Sequence, residues 1–222
     1  MRWRNCLLLG AGVLFTAGFL AFGDENNWAP LQLKLPAPVF SGTPKQAPPG
    51  VVVDPPNTKP PVVMVPPDAR NIAAKAKISS SDKLATSAML AKITDGDKDA
   101  DEDSIVLLHK GLQWIQFDFG KPEEIFVVAI WHAHDTAKIY RAVIVQVADD
   151  EDFTQNVHTF FNNDTDNKSG LGAGTDRQYF ESFQGKIVDC KKARARYVRL
   201  YSHGSTDSAM NEYTEVEIYG RD

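Results

Sequence analysis

Two cysteines, Cys6 and Cys190, are all that 222 residues provide, too few for a disulfide framework or a four-ligand zinc site. Basic residues are also short: 24 Lys plus Arg stand against 29 Asp plus Glu, a net charge of −5. This balance argues against a nucleic-acid partner, which needs a basic surface to neutralise phosphates. Hydrophobic residues at 43% and charged residues at 24% exclude a polytopic membrane protein. Long helical patterns are missing too, and only Ser81–Leu90 has room for a turn or two. There is no Gly-x-Ser-x-Gly motif and no histidine close to Cys190 in sequence, so no nucleophile–base arrangement is visible.

What is present divides the chain into three parts. In residues 1–23, Arg2 and Arg4 precede an uncharged, mostly apolar run from Leu7 to Phe22, and Ala21-Phe22-Gly23 offers small residues at a cleavage position. The segment reads as an export signal, with an uncleaved membrane anchor as the alternative. Residues 24–69 hold twelve of the 13 prolines. Proline fixes φ and lacks a donor, so this stretch is expected to form a semi-extended linker. Its apolar residues (Leu31, Leu33, Leu35, Val51 to Val53, Val62 to Val65) allow a second form, packed across the domain. Residues 70–222 make up the domain proper.

Within that domain, short β-type runs are separated by turn residues. They are Ala73–Ile78, Ile105–Leu108, Gln113–Phe119, Ile125–His132, Ala142–Val147, His158–Phe161, Tyr179–Phe183, Lys186–Val188, Tyr197–Ser202 and Thr214–Tyr219. Ile115, Phe117 and Phe119 alternate with Trp114, Gln116 and Asp118, which marks a half-covered strand. Ile125 to Ile130 is apolar on both faces and predicts a strand covered on both sides. Many short strands with almost no helix indicate a β-sandwich or barrel. A lone Cys190 reads as a small buried hydrophobe.

Three clusters carry candidate chemistry. Six of the nine residues from Asp95 to Asp103 are acidic. Crowded carboxylates repel unless solvated or neutralised, and Ca²⁺ accepts many oxygens in flexible geometry, so Asp95, Asp97, Asp99 and Ser104 are candidate ligands. It is not an EF-hand, because Ala100 stands where that loop needs glycine and Val106 where it needs glutamate. A solvated acidic loop is the alternative. Residues Asn162–Gly174 combine Asx side chains with glycines, which suits tight turns or a second cation cradle. Lastly, His132 and His134 share one face of a strand and are followed by Asp135, Tyr140 and Arg141, with Arg177 and Tyr179 after the glycine-rich loop. Planar hydrogen-bonding groups mixed with aromatics suit sugar hydroxyls, so these seven residues are the expected ligand face. Histidines ending a buried strand are the alternative reading.

The ordered set Asn71-Ile72-Ala73, Ser79-Ser80-Ser81, Thr94-Asp95-Gly96-Asp97, Gln113 to Gly120, Arg196 to Tyr201 and Glu215 to Gly220 resembles the discoidin, or coagulation factor 5/8 type C, domain, in a variant found in exported bacterial proteins. The resemblance spans about residues 70–220. It implies an all-β, eight-stranded jelly-roll sandwich of the galactose-binding-like class that binds a carbohydrate or another cell-surface ligand through loops at one end. It also implies a structural Ca²⁺ held by Asp95 and Asp97 with Glu215 or Glu217. The two cysteines that link the termini of many animal members are absent. The expected protein is an exported, non-catalytic, monomeric binding module without a nucleic-acid partner, touching a membrane only if its first segment is retained. A structural or protein-interaction module is the second reading, and a metal-dependent hydrolase the third.

Overall fold

The computed structural model describes residues 27–39, 49–55 and 58–221. The expected export signal, with Cys6, lies outside the described residues. Ten strands and one short helix follow in order: β1 (Ala29–Pro30), β2 (Met64–Val65), β3 (Arg70–Asn71), β4 (Lys77–Ser80), α1 (Ser87–Ala91), β5 (Val106–Leu108), β6 (Gln113–His132), β7 (Ile144–Ala148), β8 (His158–Asn162), β9 (Lys186–Ser202) and β10 (Asn211–Arg221). Strands β3 to β10 form one eight-stranded antiparallel network, ordered β3-β10-β6-β9-β7-β8, with β4 on β6 and β5 on β10. The eight-stranded sandwich that the sequence implies is present.

Two strands that the sequence splits are continuous. β6 joins the expected Gln113–Phe119 and Ile125–His132, and β9 joins Lys186–Val188 to Tyr197–Ser202. Each bends from one layer into the other. The first half of β6 pairs with β4 and the second half with β10. The β6–β9 register slips between Asp118 and Glu123 and again between Ile125 and Val127. Gly120 (φ 76°), Lys191 (φ 53°) and Lys192 (φ 60°) absorb these bends in left-handed backbone, the usual device for turning a sheet corner. Tyr179–Phe183, expected as a strand, is a loop instead. Its Glu181 side chain turns inward to His132, and its N–H donates to Lys138 O at 2.9 Å.

The main core fills the space between layers with Ile115, Phe117, Ile125, Val128, Ile130, Val145, Val198, Leu200, Val216 and Ile218, among others. Cys190 sits in it fully buried, and burial pushes its thiol up to about 12. A second cluster covers the outer face of β6, where Phe126, Val127, Ala129 and Trp131 meet Ile187, Val63 and Val65, with Trp28, Leu31 and Leu33 packed against them. Trp28 stands edge-on to Phe126 at 5.5 Å. The described part of the proline-rich segment thus takes the packed form and supplies the cover that a doubly apolar strand requires. Gly185 fits here because a Cβ would meet the Trp131 ring at 2.6 Å.

Candidate functional site

The residues expected to form a ligand face separate into buried and exposed groups. His132 is 0% exposed, with Nδ1 2.9 Å from Glu181 Oε2 and its ring stacked 4.2 Å from Tyr140 and 4.5 Å from Tyr213. His134 is 1% exposed, and its Nε2–H donates to Lys98 O at 2.9 Å. Tyr140 is 0% exposed and donates to Glu212 Oε2 at 2.9 Å. Tyr179 is buried against Phe161. These four residues belong to the core at the end of the sandwich, which is the alternative reading of the strand-end histidines. The 133–142 segment folds back over the end of β6 and closes it off. Asp135 pairs with Lys138 at 3.0 Å, and Arg177 lies exposed, 3.7 Å from Asp54. Of the seven, Arg141 lines the open rim hollow, and its side chain has no hydrogen bond or ion pair among the described residues.

Whether the acidic loop suits calcium depends on its donor set. The structure does bring Glu215 to the loop, where its Oε2 accepts the Gly96 N–H at 3.1 Å. Asp95, Asp97, Ser104 and Glu217 have other partners, and the exposed Asp99 carboxylate has none among the described residues. Asp95 Oδ1 accepts the Asp97 N–H at 2.9 Å, and Asp97 accepts from Asp99 N–H at 3.0 Å and Ser104 Oγ at 2.8 Å. Glu217 Oε1 is held at 2.7 Å by the ammonium of Lys98, which is 6% exposed and lies 5.0 Å from the Trp131 ring centroid. Among the described residues no three carboxylate, histidine or cysteine groups gather around a common point. Burial pushes the Glu215 carboxyl up to about 8, offset in part by the Gly96 N–H and the nearby Lys98 charge. The ammonium of Lys98 takes the Glu217 carboxylate, and the other candidate carboxylates, Asp95, Asp97 and Asp99, stand exposed on the loop. As arranged, these residues do not fit the calcium that the resemblance implies.

The Asn162–Gly174 loop builds turns. Asp164 accepts the N–H groups of Lys168 (3.2 Å) and Ser169 (2.7 Å), Asn162 Oδ1 accepts that of Asp164 (2.8 Å), and Asn167 Oδ1 that of Gly172 (2.8 Å). A Cβ on Gly174 would lie 2.1 Å from Asn162 O, so only glycine closes the loop.

The open hollow lies at the rim where β6 begins and β9 ends. It encloses about 490 Å³ and is lined by Lys110, Gly111, Arg141, His203 and Ala209. Arg141 and His203 also line an adjoining hollow of about 350 Å³ whose charged residues include the two carboxylates Asp164 and Asp166 and the ammonium of Lys168. The loops are held tightly. His203 N–H donates to Arg141 O at 2.8 Å, and Arg141 N–H donates to Gly204 O at 2.9 Å. Asn211, fully buried, donates to His109 O (2.8 Å) and Gly111 O (3.1 Å) and accepts from Gly204 N–H (2.8 Å) and Ser202 Oγ (2.8 Å). One amide therefore fixes the loops that present Lys110 and His203. Sequence reading missed Lys110, His203 and Asn211. No sequence signal pointed to them, because the pairing of Gln113 with Ser202, which sets Lys110-Gly111 beside His203-Gly204, is visible only in the structure.

A third cavity, about 470 Å³, lies under the proline-rich segment and is walled by Pro55, Pro60, Pro61, Phe180 and Phe183, with Glu181 and Lys186 in its lining. Of its polar groups, Glu181 is engaged by His132 and Lys186 lies over the Phe161 and Tyr179 rings at 4.2 and 4.8 Å, whereas the buried Tyr179 hydroxyl has no hydrogen-bond partner among the described residues.

No family model and no curated protein matches the chain. Among solved structures it is similar to the CBM32 module of AlyQ, in complex with 4,5-unsaturated mannuronic acid (18% identity, 64% of this chain, 92% of that one, TM-score 0.45). It is also similar to chitosan-binding module 1 of a chitosanase/glucanase from Paenibacillus sp. IK-5 (18%, 68% and 99%, 0.43). A third is CBM32-6 of GH89 from Clostridium perfringens (14%, 68% and 99%, 0.42). At these values the site rests on this chain's own residues.

Proposed function

We propose that the chain is a non-catalytic carbohydrate-binding module of an exported protein, with its ligand seated on the rim. The observation that carries this reading is the open hollow itself. Lys110, Arg141 and His203 line it with no side-chain hydrogen bond or ion pair among the described residues, on loops that buried Asn211 holds in place. Preorganised hydrogen-bond donors around a concavity are what a polar ligand needs. The discoidin-like landmark residues support a sugar as that ligand, and residues 1–23 support export. The buried His132–Glu181 pair serves as architecture in this reading, because His132 offers no surface to a substrate. The test is affinity electrophoresis of the full chain in gels containing individual polysaccharides. Retardation that is lost in an Arg141→Ala, His203→Ala double variant with unchanged melting supports the module. Retardation by no glycan, with a protein partner recovered instead, would favour the interaction-module reading.

A further inference from the structure

The composition of the rim names a ligand class. Its larger hollow is lined by two fixed cations and a histidine, with only Gly111 and Ala209 besides. Neither of the two adjoining hollows is lined by Trp, Tyr or Phe, so neither provides the aromatic face that covers the apolar C–H surface of a neutral sugar. Neighbouring acids are already committed. Asp82 is held by His109 at 2.8 Å, Glu212 by Lys138 at 2.9 Å and Asp164 by its own loop amides. Asp166 is paired with Lys168. On a chain of net charge −5, Lys110 and Arg141 converge on one hollow with no carboxylate partner among the described residues. The backbone of the loops that carry them is held by bonds between residues 141, 203 and 204 and by Asn211, so little loop ordering remains when a ligand arrives.

We infer that the rim recognises an anionic saccharide, with Arg141 as the planar donor to a carboxylate or sulfate oxygen and Lys110 and His203 beside it. A guanidinium matches such oxygens through two parallel N–H groups, whereas a lysine contributes a point charge. This rests on the carbohydrate-binding reading above and narrows it to uronates or sulfate esters. The acidic chain as a whole repels polyanions, so affinity must come from this patch.

The experiment measures affinity electrophoresis of the full chain against three probes: polygalacturonate for the carboxylate, dextran sulfate for the sulfate ester, and neutral galactan. Retardation by one or both anionic probes, weakening as salt rises from 50 to 300 mM, is the expected result, and which probe retards assigns the group. Arg141→Gln and Lys110→Gln should each reduce that affinity about tenfold without moving the melting temperature. Lys191→Gln, at an exposed lysine on the β9 bulge, should leave it unchanged. Binding to galactan alone would overturn the anionic specificity and leave the carbohydrate module standing. Binding to none of a wider glycan set would overturn both. Equal losses for Lys191→Gln and Arg141→Gln would show diffuse attraction and overturn the assignment to the rim.

Discussion

At the acidic loop, Lys98 lies buried between the loop and β10, its ammonium on Glu217 and close to the Trp131 ring. At the rim, Lys110 and Arg141 line an open hollow with no carboxylate on either among the described residues. Both regions concentrate charge, and sequence reading gave the acidic one a structural cation and placed the ligand on the cluster that contains Arg141. Where the fold buries an ammonium on a carboxylate, as Lys98 on Glu217, the pair is architecture. Where it holds cations in place and leaves them unanswered, it leaves room for something from outside. Density of like charge is therefore a weaker pointer to function than charge without a partner.

The first way to break this comparison is to disturb a site assigned to architecture. His132→Ala removes a ring stacked between Tyr140 and Tyr213 and strands the buried Glu181 carboxylate. It should cost about 3–5 kcal/mol, the usual effect of unpairing a buried charge while opening a cavity, read as a lower urea midpoint. A loss below about 1 kcal/mol would return His132 to the candidate ligand residues. Lys98→Met tests the acidic loop in the same way. Glu217 loses its counter-charge, and destabilisation of about 3 kcal/mol is expected. In that variant added Ca²⁺ should raise the melting temperature, since the freed carboxylate gives a cation something to bind.

A smaller effect is expected from Glu215. Its folded-state value of about 8 stands above the ordinary 4.5, so the folded protein holds a proton that the unfolded chain releases. Stability from this group is full below about pH 4.5, declines as pH rises, and is lost by about pH 8. Glu215→Gln should flatten the melting temperature across that window, and an unaltered slope would mean the carboxyl titrates normally. The smallest effect is on the wild-type chain treated with EGTA, where no shift in melting temperature is expected. A fall of several degrees restored by Ca²⁺ would show that the loop holds calcium after all and would erase the contrast between the two regions.

Much of the fold was legible because alternation and turn residues mark strands locally. Ile115 and Phe117 face the core as their spacing requires, and both faces of Ile125 to Ile130 are covered as its composition demands. What covered the outer face was harder to see. Proline suggests a free linker, yet Trp28, Leu31, Val63 and Val65 pack there because the sheet presents Phe126 and Trp131 to them. The site was less legible than the fold. His132 and His134 do share a face, but alternation cannot say whether that face meets solvent or the folded-back 133–142 segment. Lys110 and His203 lie 93 positions apart and meet only through the pairing of β6 with β9, which single-sequence spacing does not contain. Arg141 was visible from its neighbourhood, and of the seven expected ligand residues it is the one that lines the rim hollow.

The most direct test of the account is backbone NMR of the full chain titrated with the polysaccharide, in oligomeric form, that retards it most strongly. The account predicts shift changes concentrated at residues 109–111, 139–142 and 203–209, with the Asp95–Ser104 loop and the 179–187 segment silent. Changes centred on residues 179–187, lining the cavity under the proline-rich segment, or on the acidic loop, would contradict it and move the binding face away from the rim.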